Sequence, residues 1–139
     1  METLNKPVIV DMPRIYDPRG NLTFIQSGDA NLPFKIERVF WTYDVPAGES
    51  RGGHAHYEME ELLVALAGSF KVNVFDGKVW QHFVLNRPYK GLYIPSRCWR
   101  TMDDFSSAAV CMVLASTKFS EDDYIRDMDT FIKLTGTDE

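Results

Sequence analysis

A chain of 139 residues, 45% hydrophobic and 13% aromatic, is long enough to bury one sizeable core and leaves no length for a second domain, so residues 1–139 are read as one unit. Fifteen basic against 20 acidic side chains leave a net charge of −5, which argues against a nucleic-acid or membrane-surface partner, since both select a basic face. The two cysteines, Cys98 and Cys111, stand apart in apolar surroundings, the pattern of buried thiols in a reducing compartment rather than of a disulfide or zinc framework.

Met1 to Asp11 carries no apolar run behind basic residues, so no signal peptide is expected, no stretch reaches membrane-spanning length, and the expected location is the cytoplasm. Turn residues then recur often: Pro13, Pro18-Arg19-Gly20, Pro33, Pro46-Ala47-Gly48, Gly52-Gly53, Gly68, Asp76-Gly77, Pro88, Gly91 and Pro95. The segments between them are short and rich in β-branched and aromatic residues, which predicts many short antiparallel strands. Asn21–Gln26 is one. Ile36–Asp44 is longer, with Phe40 and Trp41 placing apolar groups on both faces. Glu61–Ala67 (ELLVALA) has a periodicity that also suits a helix, but Gly68 and the alternating Phe70, Val72 and Val74 beyond it favour a strand pair. Asp76-Gly77 turns that pair into Lys78–Leu85. Tyr89–Pro95, Arg100–Phe105 and Ala109–Ser116 continue the series, and Asp122–Leu134 reads as a short C-terminal helix or arm. The expected architecture is all-β, a sandwich or barrel of about ten short strands.

The chain has three histidines, and two of them lie in Arg51-Gly52-Gly53-His54-Ala55-His56. Residues i and i+2 of a strand face one side, so His54 and His56 point the same way. Gly48, His54, His56, Glu61 and Gly68 have the spacing of the first cupin motif, and this resemblance implies a double-stranded β-helix, the jelly-roll barrel. In many cupins the two histidines, the glutamate and a third histidine bind a divalent metal. The segment Gly91–Arg100 keeps the register of the second cupin motif, but Arg97 stands at its glycine position and Arg100 at its histidine position. A guanidinium has no lone pair to give a metal and stays protonated, so no metal is expected. His82, on another strand, is read as structural. Paired imidazoles without a metal suit proton transfer near neutral pH.

Arg51–His56, Asp17-Pro-Arg-Gly20, Gly91–Ile94, Met102–Ser106, Val113–Ser116 and Asp123-Tyr-Ile-Arg126, in this order, resemble the WxcM-like sugar-nucleotide 3,4-ketoisomerases from Asp11 to Phe131. The resemblance implies a homodimeric cupin that moves the ketone of dTDP-4-keto-6-deoxyglucose from C4 to C3 through an enediol, without a cofactor. In that reading His56 is the C3 base and His54 the second acid/base group, or the reverse. Tyr43 donates to the developing oxyanion, and Arg19, Arg51 and Arg38 are candidates for the pyrophosphate or sugar oxygens. The departures are Phe40 and Trp41, where the family commonly has tyrosines, and Arg100, where it has histidine. Three other readings stay open: a 3,5-epimerase of the same nucleotide sugars, a metal cupin using His54, His56 and Glu61 with His82 as a further candidate ligand, and a nucleotide-sugar-binding module without turnover.

Overall fold

The computed structural model describes residues 6–136. The first five residues of the segment read as free of a signal peptide therefore lie outside the described residues. Twelve strands run through the described chain: β1 (Val8–Asp11), β2 (Arg14–Ile15), β3 (Leu22–Thr23), β4 (Arg38–Tyr43), β5 (Arg51–His56), β6 (Glu61–Ala67), β7 (Phe70–Phe75), β8 (Trp80–Leu85), β9 (Lys90–Ile94), β10 (Trp99–Asp103), β11 (Val110–Ala115) and β12 (Tyr124–Ile125). A 3-10 turn at Glu121–Asp123 precedes β12, and one helix, α1 (Met128–Gly136), follows it. Two five-stranded sheets, ordered β1-β9-β6-β11-β4 and β12-β5-β10-β7-β8, face each other, with β2-β3 as a separate hairpin. Every pairing is antiparallel, and from β4 to β12 the chain crosses between the sheets at every step but the β7–β8 hairpin. This is the cupin double-stranded β-helix expected from the sequence.

Strand β6 explains the ambiguity of ELLVALA. Leu63 and Ala65 belong to the core between the two sheets, whereas Leu62 and Val64 pack on the opposite side against Val10, Leu32, Phe34 and Tyr93. A strand buried on both faces shows a continuous apolar run instead of alternation. Gly68 ends it with φ +65°, and a Cβ there would sit 2.8 Å from the Cα of Ala109, so only glycine turns the chain at this point. At the β7–β8 hairpin the Asp76 carboxylate accepts the N–H groups of Lys78 and Val79 at 2.8 and 3.0 Å.

Some boundaries differ from the expected ones. Of Asn21–Gln26 only Leu22–Thr23 pairs, against Arg14–Ile15, and Val8–Asp11 pairs along β9 as a strand the sequence reading did not mark. The helix begins later than Asp122. Residues 121–125 instead follow the edge of β5, where Tyr124 and Ile125 pair with His56 and Ala55. Asp127 caps the helix, accepting the N–H of Thr130 at 2.9 Å. Phe131 then packs on Trp99 and Phe75, covering one end of the second sheet's outer face.

Candidate active site

His54 and His56 are carried inward by β5, and a bulge sets their aim. Arg100 pairs with His54 and Thr101 with Gly52, so Gly53 has no partner across the strand. Gly52 takes φ +89° with Arg100's carbonyl oxygen 2.9 Å from where a Cβ would lie. Its own carbonyl lies by the His54 ring and favours the charged imidazole, against the effect of burial. A neutral imidazole at this position has one donor nitrogen and one acceptor nitrogen.

His54 lines a cavity of about 400 Å3 between the sheets, together with Phe40, Thr42, Ser50, Arg51, Gly52, Glu61, Leu63, Arg100, Met102, Val113, Tyr124 and Arg126. His56 does not reach that cavity. It is 0% exposed, with its ring edge-on to His54 at 4.9 Å between centroids. Its Nδ1 lies 3.4 Å from Asp123 Oδ2, yet neither ring nitrogen has a well-aligned hydrogen bond among the described residues. The Asp123 carboxylate is itself pinned by the N–H groups of Glu58 and Met59 at 2.8 and 3.1 Å. Burial and then the Arg100 cation depress the His54 pKa from 6.5 to about 4. The same two causes, with His54, Arg38 and Arg126 adding to them, take His56 to about 2. Both imidazoles are therefore neutral at neutral pH.

Arg100 and Glu61, 1% and 4% exposed, form a buried ion pair through Arg100 Nη1 and Glu61 Oε1. Two further guanidinium nitrogens donate to the Cys98 carbonyl at 3.2 and 3.4 Å. Burial lowers the Arg100 pKa only to about 10, which leaves it charged. Arg97 keeps the left-handed conformation, φ 62°, of the glycine it replaces in the second cupin motif, and its N–H binds the His56 carbonyl at 2.6 Å. These residues suit a metal poorly. The Glu61 carboxylate is committed to Arg100, and no group of three or more metal-ligating side chains occurs among the described residues. Cys98 and Cys111 are free and buried, and burial raises both thiols to about 12.

The other candidates separate. Arg51 stands in the cavity wall. Arg38 shares the inward face of β4 with Phe40 and Thr42, stacks at 4.3 Å on the Phe40 ring, and contributes positive potential at His56. Arg19 is not in the wall; its side chain is exposed in the Asp17–Gly20 turn and paired with Asp17 at 2.9 Å. Tyr43 is a correction. Strand parity that sends Phe40 and Thr42 inward sends Val39, Trp41 and Tyr43 outward, and Tyr43 is 59% exposed on the opposite face of the sheet. The two histidines also differ in access: His54 is open to the cavity and His56 lies buried behind it. His82 is outside the site, bonded through Nδ1 to Asn73 Oδ1 at 2.6 Å.

Tyr124 and Arg126 were not marked as site residues, though both lie in the Asp123–Arg126 stretch that carries part of the family likeness. Being opposite His56 in the β5–β12 ladder, Tyr124 faces inward with it, 5.1 Å from the His54 ring and 4.4 Å from the His56 ring between centroids. The Arg126 guanidinium covers the Tyr124 ring at 4.1 Å and is held by Glu121 at 2.7 and 3.0 Å.

Comparison with known proteins agrees with this geometry. The family model described as FdtA: WxcM-like, C-terminal, matches residues 5–136. The chain is 43% identical over 125 residues to the TDP-4-oxo-6-deoxy-alpha-D-glucose-3,4-oxoisomerase of Aneurinibacillus thermoaerophilus, covering 90% of this chain and 89% of that one. It superposes with TM-score 0.91 and 35% identity on a 3,4-ketoisomerase from Helicobacter canadensis, over 96% of this chain and 99% of that one. The sugar 3,4-ketoisomerase QdtA of Thermoanaerobacterium thermosaccharolyticum, in complex with TDP, superposes with TM-score 0.92 and 34% identity over 98% of both chains. With the cupin barrel, the paired histidines and full-length similarity in agreement, the chain belongs to the WxcM-like family.

Proposed function

We propose that the protein is a nucleotide-sugar 3,4-ketoisomerase, acting on TDP-4-keto-6-deoxyglucose or a close relative, with His54 as the C3 base. The observation that carries the role is His54 itself: open to the cavity and neutral, so that one ring nitrogen can accept a proton. The relatives named above supply the reaction and the TDP-sugar class. Removing the C3 proton of a 4-ketose gives an enediolate, and returning a proton at C4 leaves the ketone at C3. There is no net oxidation, so the chemistry calls for no redox partner. Buried Arg100 in the wall favours the negative charge of the intermediate. Arg51 and Arg126 are suited to the diphosphate, Arg51 at the exposed start of β5 and Arg126 beside Tyr124.

We infer further that two copies associate through the outward face of the first sheet, where Val39, Trp41, Tyr43 and Leu66 are exposed beside Met112. An apolar patch of that kind on a folded chain marks an interaction surface. Trp41→Asp should then give a monomer by sedimentation, and an unchanged mass would remove this face from the assembly. No helix among the described residues is long and apolar enough to cross a membrane; a cytoplasmic enzyme meeting a soluble nucleotide sugar is the reading that goes with two free thiols.

The test is incubation with TDP-4-keto-6-deoxyglucose in D2O, followed by proton NMR. Loss of the C3 signal with growth of a 3-keto product is the expected result. Solvent exchange at C3 and C5 with the ketone still at C4 would indicate a 3,5-epimerase, and tight binding with no exchange a binding module.

A further inference from the structure

The 1,2-shift needs two separate proton movements. One proton passes from C3 to C4, and another must leave the C3 hydroxyl and arrive on the C4 oxygen. His54 accounts for the carbon-to-carbon transfer. The cavity wall holds few groups able to make the oxygen-to-oxygen one. Arg51, Arg100 and Arg126 stay protonated, and Glu61 is committed to Arg100. Ser50 and Thr42 offer aliphatic hydroxyls, far weaker acids than a phenol. His56 is wholly buried behind His54.

That leaves Tyr124. Its ring lies against both imidazoles, its register opposite His56 turns it inward, and its hydroxyl has no hydrogen-bond partner among the described residues. Building on the ketoisomerase reading, we propose that Tyr124 is a catalytic residue that carries the proton from the C3 oxygen to the C4 oxygen. His54 takes the C3 proton, and the C–H electron pair becomes the C3–C4 double bond as the C4 carbonyl electrons move onto oxygen. Tyr124 protonates that oxygen. The resulting phenolate, with Arg126 over its ring and Arg100 across the cavity, removes the proton of the C3 hydroxyl. The C3 carbonyl forms as the double bond takes the imidazolium proton at C4. Tyrosine and histidine end as they began.

Tyr124→Phe removes one oxygen and keeps the ring packed. In D2O the variant should still bind TDP and still exchange the C3 proton, while formation of 3-keto product falls roughly 100-fold or more, as for loss of a general acid. The ratio of exchange to product should therefore rise at least tenfold. Wild-type product formation, with Tyr124→Phe either unaffected or losing exchange and product in equal measure, overturns the role of Tyr124 alone. Wild-type protein that forms no 3-keto product overturns the ketoisomerase reading and this role with it. Should the phenylalanine variant fail to fold, 3,5-difluorotyrosine at position 124 keeps the shape and makes the phenol more acidic. The alkaline limb of kcat must then move to lower pH. The charged and titratable groups around the phenol, His54, His56, Arg100 and Arg126, are unaltered, so an unmoved limb overturns the proposal.

Discussion

The two faces of the first sheet make an instructive contrast, because one strand serves both. Strand β4 sends Phe40 and Thr42 into the histidine cavity and Val39, Trp41 and Tyr43 to the outside. The outside carries the more capacious concavities, about 830 and 570 Å3 against about 400 Å3 within. The outer walls are mainly apolar; the inner wall holds an imidazole, a phenol, three guanidiniums and a carboxylate. Size and apolarity mark a surface for a partner, whereas convergent ionisable groups in a desolvated space mark one for chemistry. The single-residue parity of a strand decides which of the two a side chain joins.

The contrast breaks most sharply at His54. His54→Asn should lower kcat by about 10²–10⁴-fold while TDP still binds, read as loss of C3 exchange by NMR; retained exchange would end the role of the inner face. Next comes Glu61→Gln, which strands the buried Arg100 cation without its partner. Breaking such a pair costs about 3–5 kcal/mol, so the urea midpoint should fall steeply, and a variant of wild-type stability would mean the pair is not buried as described. A smaller effect follows from pH. A histidine depressed from 6.5 to about 4 is protonated in the unfolded chain before it is protonated in the folded one. Its contribution to stability is thus full above about pH 6.5 and is lost as pH falls towards 4. Urea titrations at pH 7, 6 and 5 should show the decline, with a shallower slope in His54→Asn. The smallest effect belongs to the outer face. Tyr43→Phe should change kcat less than about twofold, since surface substitutions away from a site are near neutral; a large loss would put the Tyr43 hydroxyl back in the reaction.

The sequence made the barrel and the histidine-bearing strand legible, and the reasons are local. Gly48, His54, His56, Glu61 and Gly68 lie within 21 residues, so their spacing alone states the motif. Tyr43 went astray because Ile36–Asp44 is apolar on both faces, and an alternation with no polar side leaves parity undetermined until the register with β11 is known. Tyr124 was unreadable for a different reason. It meets the histidines across 68 positions of chain, in a two-residue strand too short to have a pattern. That Glu61 and Arg100 are partners was hidden by a separation of 39, although each occupied a cupin-motif position. The left-handed Arg97 shows the reverse case, a backbone conformation kept by the fold although the residue that suits it is gone.

The short strand β12 has one more consequence. It occupies the free edge of β5, covering N–H and C=O groups that an uncovered edge would offer to any passing strand. At Ala55 and His56 the histidine-bearing strand is thus closed off by residues that follow His56 by 68 positions or more. On the ribosome, β5 stays available for pairing with other chains until residues 124–125 arrive, so solubility and completion of the site are decided together.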